Sequence, residues 1–156
     1  MPGDTQIERG LVDTNILILR DQIPAQELPG ELAISAVTLA ELSAGPHLVR
    51  GDDEDARCER ARRTFVLQRT EREFEALPFD ADAARVYGQL CGAVFDTGRT
   101  PRRRVADLQI AATAGAHRLP LFTTNPDDFA GLAPWLTVVA VTRPGTKRSD
   151  QLGLSQ

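Results

Sequence analysis

Asp13, Glu41, Asp107 and Asp128 each stand inside or at the end of a short run of chain with apolar character. Gly10-Leu11-Val12 precedes Asp13, Val37 to Leu42 surrounds Glu41, Val105-Ala106 precedes Asp107, and Thr123 to Phe129 surrounds Asp128. Brought together, these carboxylates supply the hard oxygen ligands that Mg²⁺ or Mn²⁺ takes, and such ions activate water for phosphodiester cleavage. Crowding carboxylates is costly without a counter-ion, because like charges raise one another's pKa and a buried charge is poorly solvated. A dication removes that cost, so the residue types point to a metal-dependent nuclease.

Taken singly, each acid also has an ordinary explanation. Asp13 suits a helix N-cap, and Thr38-Leu39-Ala40-Glu41 matches a capping box. Asp107 is favoured near a helix N-terminus by the macrodipole, and Asn125-Pro126 reads as an N-cap followed by proline at the first helical position. Their joint order along the chain is what favours a site.

The elements that must position them follow from hydrophobic period. Strands are predicted at Leu11-Val12, Leu32 to Ile34, Glu75 to Phe79, Leu121 to Thr123 and Val138 to Val141. Helices are predicted from Ile16 toward Pro24, over Val37 to Ser43 with an end at Gly45-Pro46, over Asp52 to Arg72 as one long segment or two, over Ala81 to Phe95 and over Val105 to His117. Strands separated by helices imply an α/β fold with a mostly parallel sheet covered on both faces. In such sheets sites form outside the carboxyl ends of the strands, and Asp13 falls just after the first.

A chain of 156 residues, 42% hydrophobic, has room for one core and one domain. That domain is expected over 1–142. The polar, non-periodic stretch over 143–156 is expected to be a flexible tail. No apolar run approaches the ~18 residues of a membrane span, and Met1 to Gln6 lacks the regions of a signal peptide. A cytoplasmic protein without membrane contact is the expectation. Cys58 and Cys91 have no second cysteine or histidine at metal-ligand spacing, so both are read as reduced.

The net charge of −4 does not itself favour a polyphosphate partner; distribution matters more. Arginine gathers at Arg57 to Arg63 and at Arg99 to Arg104, with Lys147 the sole lysine. The first cluster mixes with Asp53, Glu54, Asp55 and Glu59 and reads as a solvated helix face. Arg102-Arg103-Arg104 is different, since cations approaching the positive end of a helix dipole are not explained by helix stability. RNA phosphate contact and a solvated loop that balances nearby acids both remain open for it. No phosphate loop of the G-x-x-x-x-G-K-[ST] type and no G-x-S-x-G nucleophile motif is present. Asn15 stands where an aspartyl phosphatase would carry its second acid, and Lys147 lies too late for a receiver-like domain.

Leu11-Val12-Asp13-Thr14-Asn15, Ile34-Ser35 with Thr38 to Leu42, Ala106 to Ala114, and Leu121 to Asn125 with Asp128-Phe129 resemble the four motifs of PIN-domain ribonucleases. The chain to about Val141 resembles, more narrowly, the VapC toxins of bacterial toxin–antitoxin pairs. The resemblance implies a PIN-like three-layer α/β/α sandwich and a Mg²⁺-dependent endoribonuclease, with Mn²⁺ as substitute. It also implies inhibition by a VapB-type antitoxin, a homodimer, and an RNA substrate among tRNA, rRNA and mRNA. Asp13, Glu41 and Asp107 match the family's most dependable acids. The slot of Asn125, where some members carry aspartate, is an amide here, so Asp128 is taken as the fourth acid ahead of Asp127. Thr14, Asn15, Thr124 and Asn125 are expected to orient the carboxylates. The expected chemistry is in-line attack of metal-activated water on phosphorus, with Glu41 ligating or taking the proton and products ending in 5′-phosphate and 3′-hydroxyl. A silent RNA- or antitoxin-binding module is the alternative that Asn125 keeps open.

Overall fold

The computed structural model describes residues 6–145, apart from the side chains of Arg102 and Arg103. The expected tail from 143 therefore lies outside the described residues from 146 onward.

Four short strands form one all-parallel sheet: β1 (Arg9–Val12), β2 (Glu31–Ala33), β3 (Leu121–Thr123) and β4 (Val138–Ala140), in the order β2-β1-β3-β4. The first strand is thus interior, pairing Leu11 with Ala33 on one side and with Leu121 on the other. Parallel neighbours need crossover connections, and the helices supply them: α1 (Thr14–Leu19), α2 (Ala36–Ala44), α3 (Glu54–Glu73), α4 (Ala81–Asp96) and α5 (Val105–Ala116).

Strand alternation divides the core into two layers. Leu11 and Leu121 pack with Leu90 and Val94 of α4 and with Leu108, Ile110 and Ala111 of α5. Val12 and Phe122, one residue on in each strand, pack with Ile16, Leu42 and Val66 of α1, α2 and α3. A period of two sends successive side chains to opposite faces, so one register places both cores. The result is the α/β/α sandwich, with every sheet pairing parallel.

Local signals fix the helix starts. Asp53 and Asp80 accept from the amides of Ala56 and Ala83 at 2.8 and 3.0 Å, capping α3 and α4. Residues 54–73 form one helix rather than two. Helix α2 ends at Ala44 with Gly45 as its C-cap, where Gly45-Pro46 was expected to end it, and proline fits the first turn of the 3₁₀ segment Gly45–Leu48 that follows. Two expectations need correction. Ser35, not Thr38, caps α2: its hydroxyl accepts from the Thr38 amide at 3.1 Å, so Glu41 sits in the second turn with no capping role. The strand expected over Glu75 to Phe79 contracts to a single bridge, Ser35 with Leu77, since the adjoining residues find no partner strand.

Gly10 meets a close approach inside the sheet. A Cβ there would stand 2.4 Å from Cε2 of Phe122, a ring that is 3% exposed and packed in the core. Gly10→Ala is expected to destabilise the fold by ~1–3 kcal/mol through overpacking. The urea midpoint of the variant measures it; an unchanged midpoint would show that the ring can move aside.

Candidate active site

Asp13 follows β1 directly. Its amide donates to the Phe122 carbonyl at 3.0 Å, continuing the β1–β3 ladder one residue past the strand. Its carboxylate is buried, and both oxygens are engaged: Oδ1 accepts from the Thr14 amide at 2.8 Å, which caps α1, and Oδ2 accepts from the Thr123 hydroxyl at 3.0 Å. Capping and site formation are therefore one arrangement, not rival explanations. The Thr123 hydroxyl in turn accepts from the Asn125 amide at 3.0 Å.

Thr14 ties the next element in. Its hydroxyl donates to Glu41 Oε1 at 2.9 Å and lies 3.2 Å from the Thr38 hydroxyl, which fixes α2 against the start of α1. Asp107 is in the first turn of α5. Asp128 lies in the 3₁₀ turn Pro126–Phe129, anchored by the buried Phe129 ring. Asp13, Thr14, Asn15, Glu41 and Asp107 line one cavity of about 310 Å³, which Arg62 and Arg63 of α3 also line.

The carboxyl groups respond to this proximity. Burial pushes the Asp13 carboxyl above its usual range, outweighing the hydrogen bonds from Thr14 and Thr123, and Glu41 and Asp128 push it the same way. Desolvation likewise raises Glu41 despite its open side, with Asp107 adding to the effect. Asp107 is raised first by desolvation, then by Asp13 and Asp128, with Arg104 opposing. The four acids from four separate segments thus share one field.

Other expected residues fall differently. Asn15 lines the cavity, whereas the side-chain partner expected of Thr124 belongs to Thr123; the Thr124 hydroxyl is buried with no hydrogen-bond partner among the described residues. Val12 pairs with Phe122, so the residue after each, Asp13 and Thr123, stand side by side. Asn125 contributes its backbone amide, and no side-chain bond of it caps the following turn. Arg104 is paired inside the protein: Nη2 is 3.1 Å from Asp128 Oδ1 and Nη1 donates to the Asp128 carbonyl at 2.7 Å. The side chains of Arg102 and Arg103 lie outside the described ones. Arg62 and Arg63, read from sequence as a solvated face, were missed as cavity residues. Nothing in their mixed local charge signals it.

The donor set suits a hard dication. It offers only carboxylate oxygens, each able to accept more than the one hydrogen bond shown, and among the described side chains neither Asp13 nor Glu41 has a cationic partner. No three described acidic, histidine or cysteine side chains stand at ligand separations.

The PIN-domain family model matches residues 10–133, from the interior strand through all four acids. The chain belongs to the PIN-domain family. Within it, the chain is of VapC type. Ribonuclease VapC5 of Mycobacterium tuberculosis is 36% identical over 126 residues, covering 79% of this chain and 87% of that protein. Ribonuclease VapC of Rickettsia bellii is 30% identical over 135 residues, covering 84% and 95%. Among solved structures, VapBC-5 of Mycobacterium tuberculosis, a member of the VapBC family of toxin–antitoxin systems, superposes with a TM-score of 0.68 at 35% identity, covering 83% of this chain and 94% of that one.

The raised carboxyls of this VapC-type site make metal-free stability pH-dependent. A carboxyl raised on folding leaves the native state holding protons that the unfolded chain has released, so its contribution falls as pH rises above the ordinary carboxylate range. Removing one charge relieves this. In EDTA, Asp107→Asn is expected to be more stable than the parent by roughly 0.5–2 kcal/mol near neutral pH, with the gain shrinking toward about pH 4. Paired urea titrations across that range measure it, and a gain that grows on acidification contradicts the assignment.

Proposed function

We propose that this chain is the ribonuclease toxin of a VapBC-type toxin–antitoxin pair, hydrolysing RNA phosphodiester bonds with Mg²⁺ or Mn²⁺. The observation that supports it most is the gathering of Asp13, Glu41, Asp107 and Asp128 at the carboxyl edge of the sheet with three carboxyls raised. When bound, a dication would polarise a phosphoryl oxygen and lower the pKa of water.

Asp13, Glu41 and Asp107 would hold the ion. Asp13 is the fixed member, since the Thr14 amide and Thr123 hydroxyl set its orientation before anything binds. Glu41 is the adjustable one: one oxygen rests on Thr14, and burial raises its carboxyl, which makes it a better proton acceptor than an ordinary glutamate. Asp107 meets the helix dipole, which favours its charged form. Asp128 holds Arg104 and adds negative potential to Asp13 and Asp107. Arg102 and Arg103, on the segment entering α5, remain RNA contacts by proposal.

RNA and a VapB-type antitoxin are the partners this reading requires. The exposed Leu48 and Phe65, 69% and 60% exposed, offer apolar surface for the latter. The testing experiment is cleavage of total cellular RNA by antitoxin-free protein with Mg²⁺ or Mn²⁺, against EDTA, with 5′ ends mapped. Discrete metal-dependent cuts leaving 5′-phosphate support the proposal. A 2′,3′-cyclic phosphate product contradicts hydrolysis, because it needs attack by the ribose 2′-hydroxyl. Folded protein that cuts nothing under either metal returns the silent binding module.

A further inference from the structure

The lining of the acidic cavity also carries charge of the other sign. Arg62 and Arg63 line the same 310 Å³ space as Asp13, Glu41 and Asp107. Guanidinium groups so placed would ordinarily swing onto the carboxylates and fill the site themselves. Here they are held by Glu59: Arg62 Nε and Nη2 donate to Glu59 Oε2 and Oε1 at 2.9 and 2.8 Å, and Arg63 Nε donates to Oε1 at 2.7 Å. These two pairs keep the Glu59 carboxyl down at about 2, so the holder stays charged at any physiological pH.

The two arginines are not equivalent. Arg63 Nη1 also donates to the Gly45 carbonyl at 2.9 Å, which pins it between α3 and the end of α2. Arg62 is 52% exposed and makes a bidentate pair with Glu59 alone. That pair takes two of its five N–H donors, and the remainder are free for a second anion. Residues 59, 62, 63 and 66 follow helical spacing, and Val66, which also lines the cavity, is buried under α2. The strip is therefore anchored rather than loose.

We propose that Arg62 is a substrate-positioning residue: held by Glu59 at the mouth of the acidic cavity, it takes a non-bridging phosphate oxygen of the RNA strand. The proposal rests on the ribonuclease reading given above. Planar guanidinium suits this task, since its fork matches phosphate geometry and a preoriented fork loses less entropy on binding. A cationic wall also lets a polyanion approach a site whose floor repels it.

The test compares Arg62→Ala, Arg62→Lys and Arg57→Ala in the full chain. Arg57 borders a separate groove on α3 beside Arg60 and Phe65, and so controls for general charge. Arg62→Ala is expected to raise KM about tenfold with kcat within about twofold, and to make the log–log salt dependence of RNA affinity shallower by about 0.7. Arg62→Lys should restore the salt slope but not KM, since the charge returns without the fork. Unchanged KM and slope in Arg62→Ala, or equal changes in Arg57→Ala, would overturn the assignment. If the parent protein cuts no RNA, the ribonuclease reading falls by itself; RNA binding measured in EDTA still decides Arg62, a retained slope difference upholding phosphate contact and its absence removing it.

Discussion

Asp13→Asn is expected to lower metal-dependent RNA cleavage by about three orders of magnitude while leaving the metal-free protein folded and at least as stable as the parent. The loss follows from removing the fixed carboxylate of the ligand set, since a dication contributes several kcal/mol of charge stabilisation and each 1.36 kcal/mol is a tenfold change in rate. The retained stability follows from the same residue's surroundings. Asparagine is as good an N-cap as aspartate, so the bond from the Thr14 amide survives. Its amide nitrogen can donate to the Thr123 hydroxyl in place of accepting from it. What disappears is a buried charge that Glu41 and Asp128 repel. Thermal melts in EDTA beside cleavage assays separate the two effects. A variant that cuts at the parent's rate removes Asp13 from the chemistry, and one that unfolds makes it a purely structural cap.

Thr123→Val is the second large effect, a loss of about ten- to a hundredfold in metal affinity or activity, the usual cost of removing a group that orients a ligand. The hydroxyl is wholly buried and serves two partners, donating to Asp13 Oδ2 and accepting from the Asn125 amide. Valine keeps the shape but leaves both unmatched. Thr123→Ser, which keeps the hydroxyl, should recover most of the loss. Thr124→Val is the matched control: that hydroxyl has no partner among the described residues, so its removal should leave activity unchanged. Manganese binding followed by calorimetry gives the affinities directly. Equal losses at 123 and 124 would show that the effect lies in strand packing rather than in orientation of Asp13.

The contrast between those two threonines shows where sequence stops being legible. The parallel sheet, the order of helices and the acids at strand ends all follow from local period and composition, because strands near Leu11 and Leu121 are short, apolar and bounded. Which threonine faces Asp13 depends instead on register, a non-local quantity fixed when Val12 pairs with Phe122. The capping role offered to Glu41 failed for a similar reason, since Ser35 three residues earlier than Thr38 captures the helix start and frees the glutamate. For Arg104, phosphate contact and balancing of nearby acids were both open from its neighbours in the chain, and the acid it balances, Asp128, lies 24 residues away. The role of Arg62 was hidden in the same manner. Charges interleaved along α3 look solvated until the tertiary fold lays one strip of them against the cavity.

The bond between Asp13 and Thr123 closes a span of 110 residues, and the interior strand β1 cannot pair with β3 before that distance has been made. Chains are synthesised at about 5–20 residues per second, so roughly 5–20 s separate the emergence of the two ends of this contact from the ribosome. Thr14 and Glu41 follow Asp13 early, whereas Asp107 emerges near the end of that interval and Asp128 just after it. In a chain of this topology the four acids cannot be gathered until residue 128 has been made. Under the ribonuclease reading proposed above, the cutting site cannot exist while most of the message is still being translated.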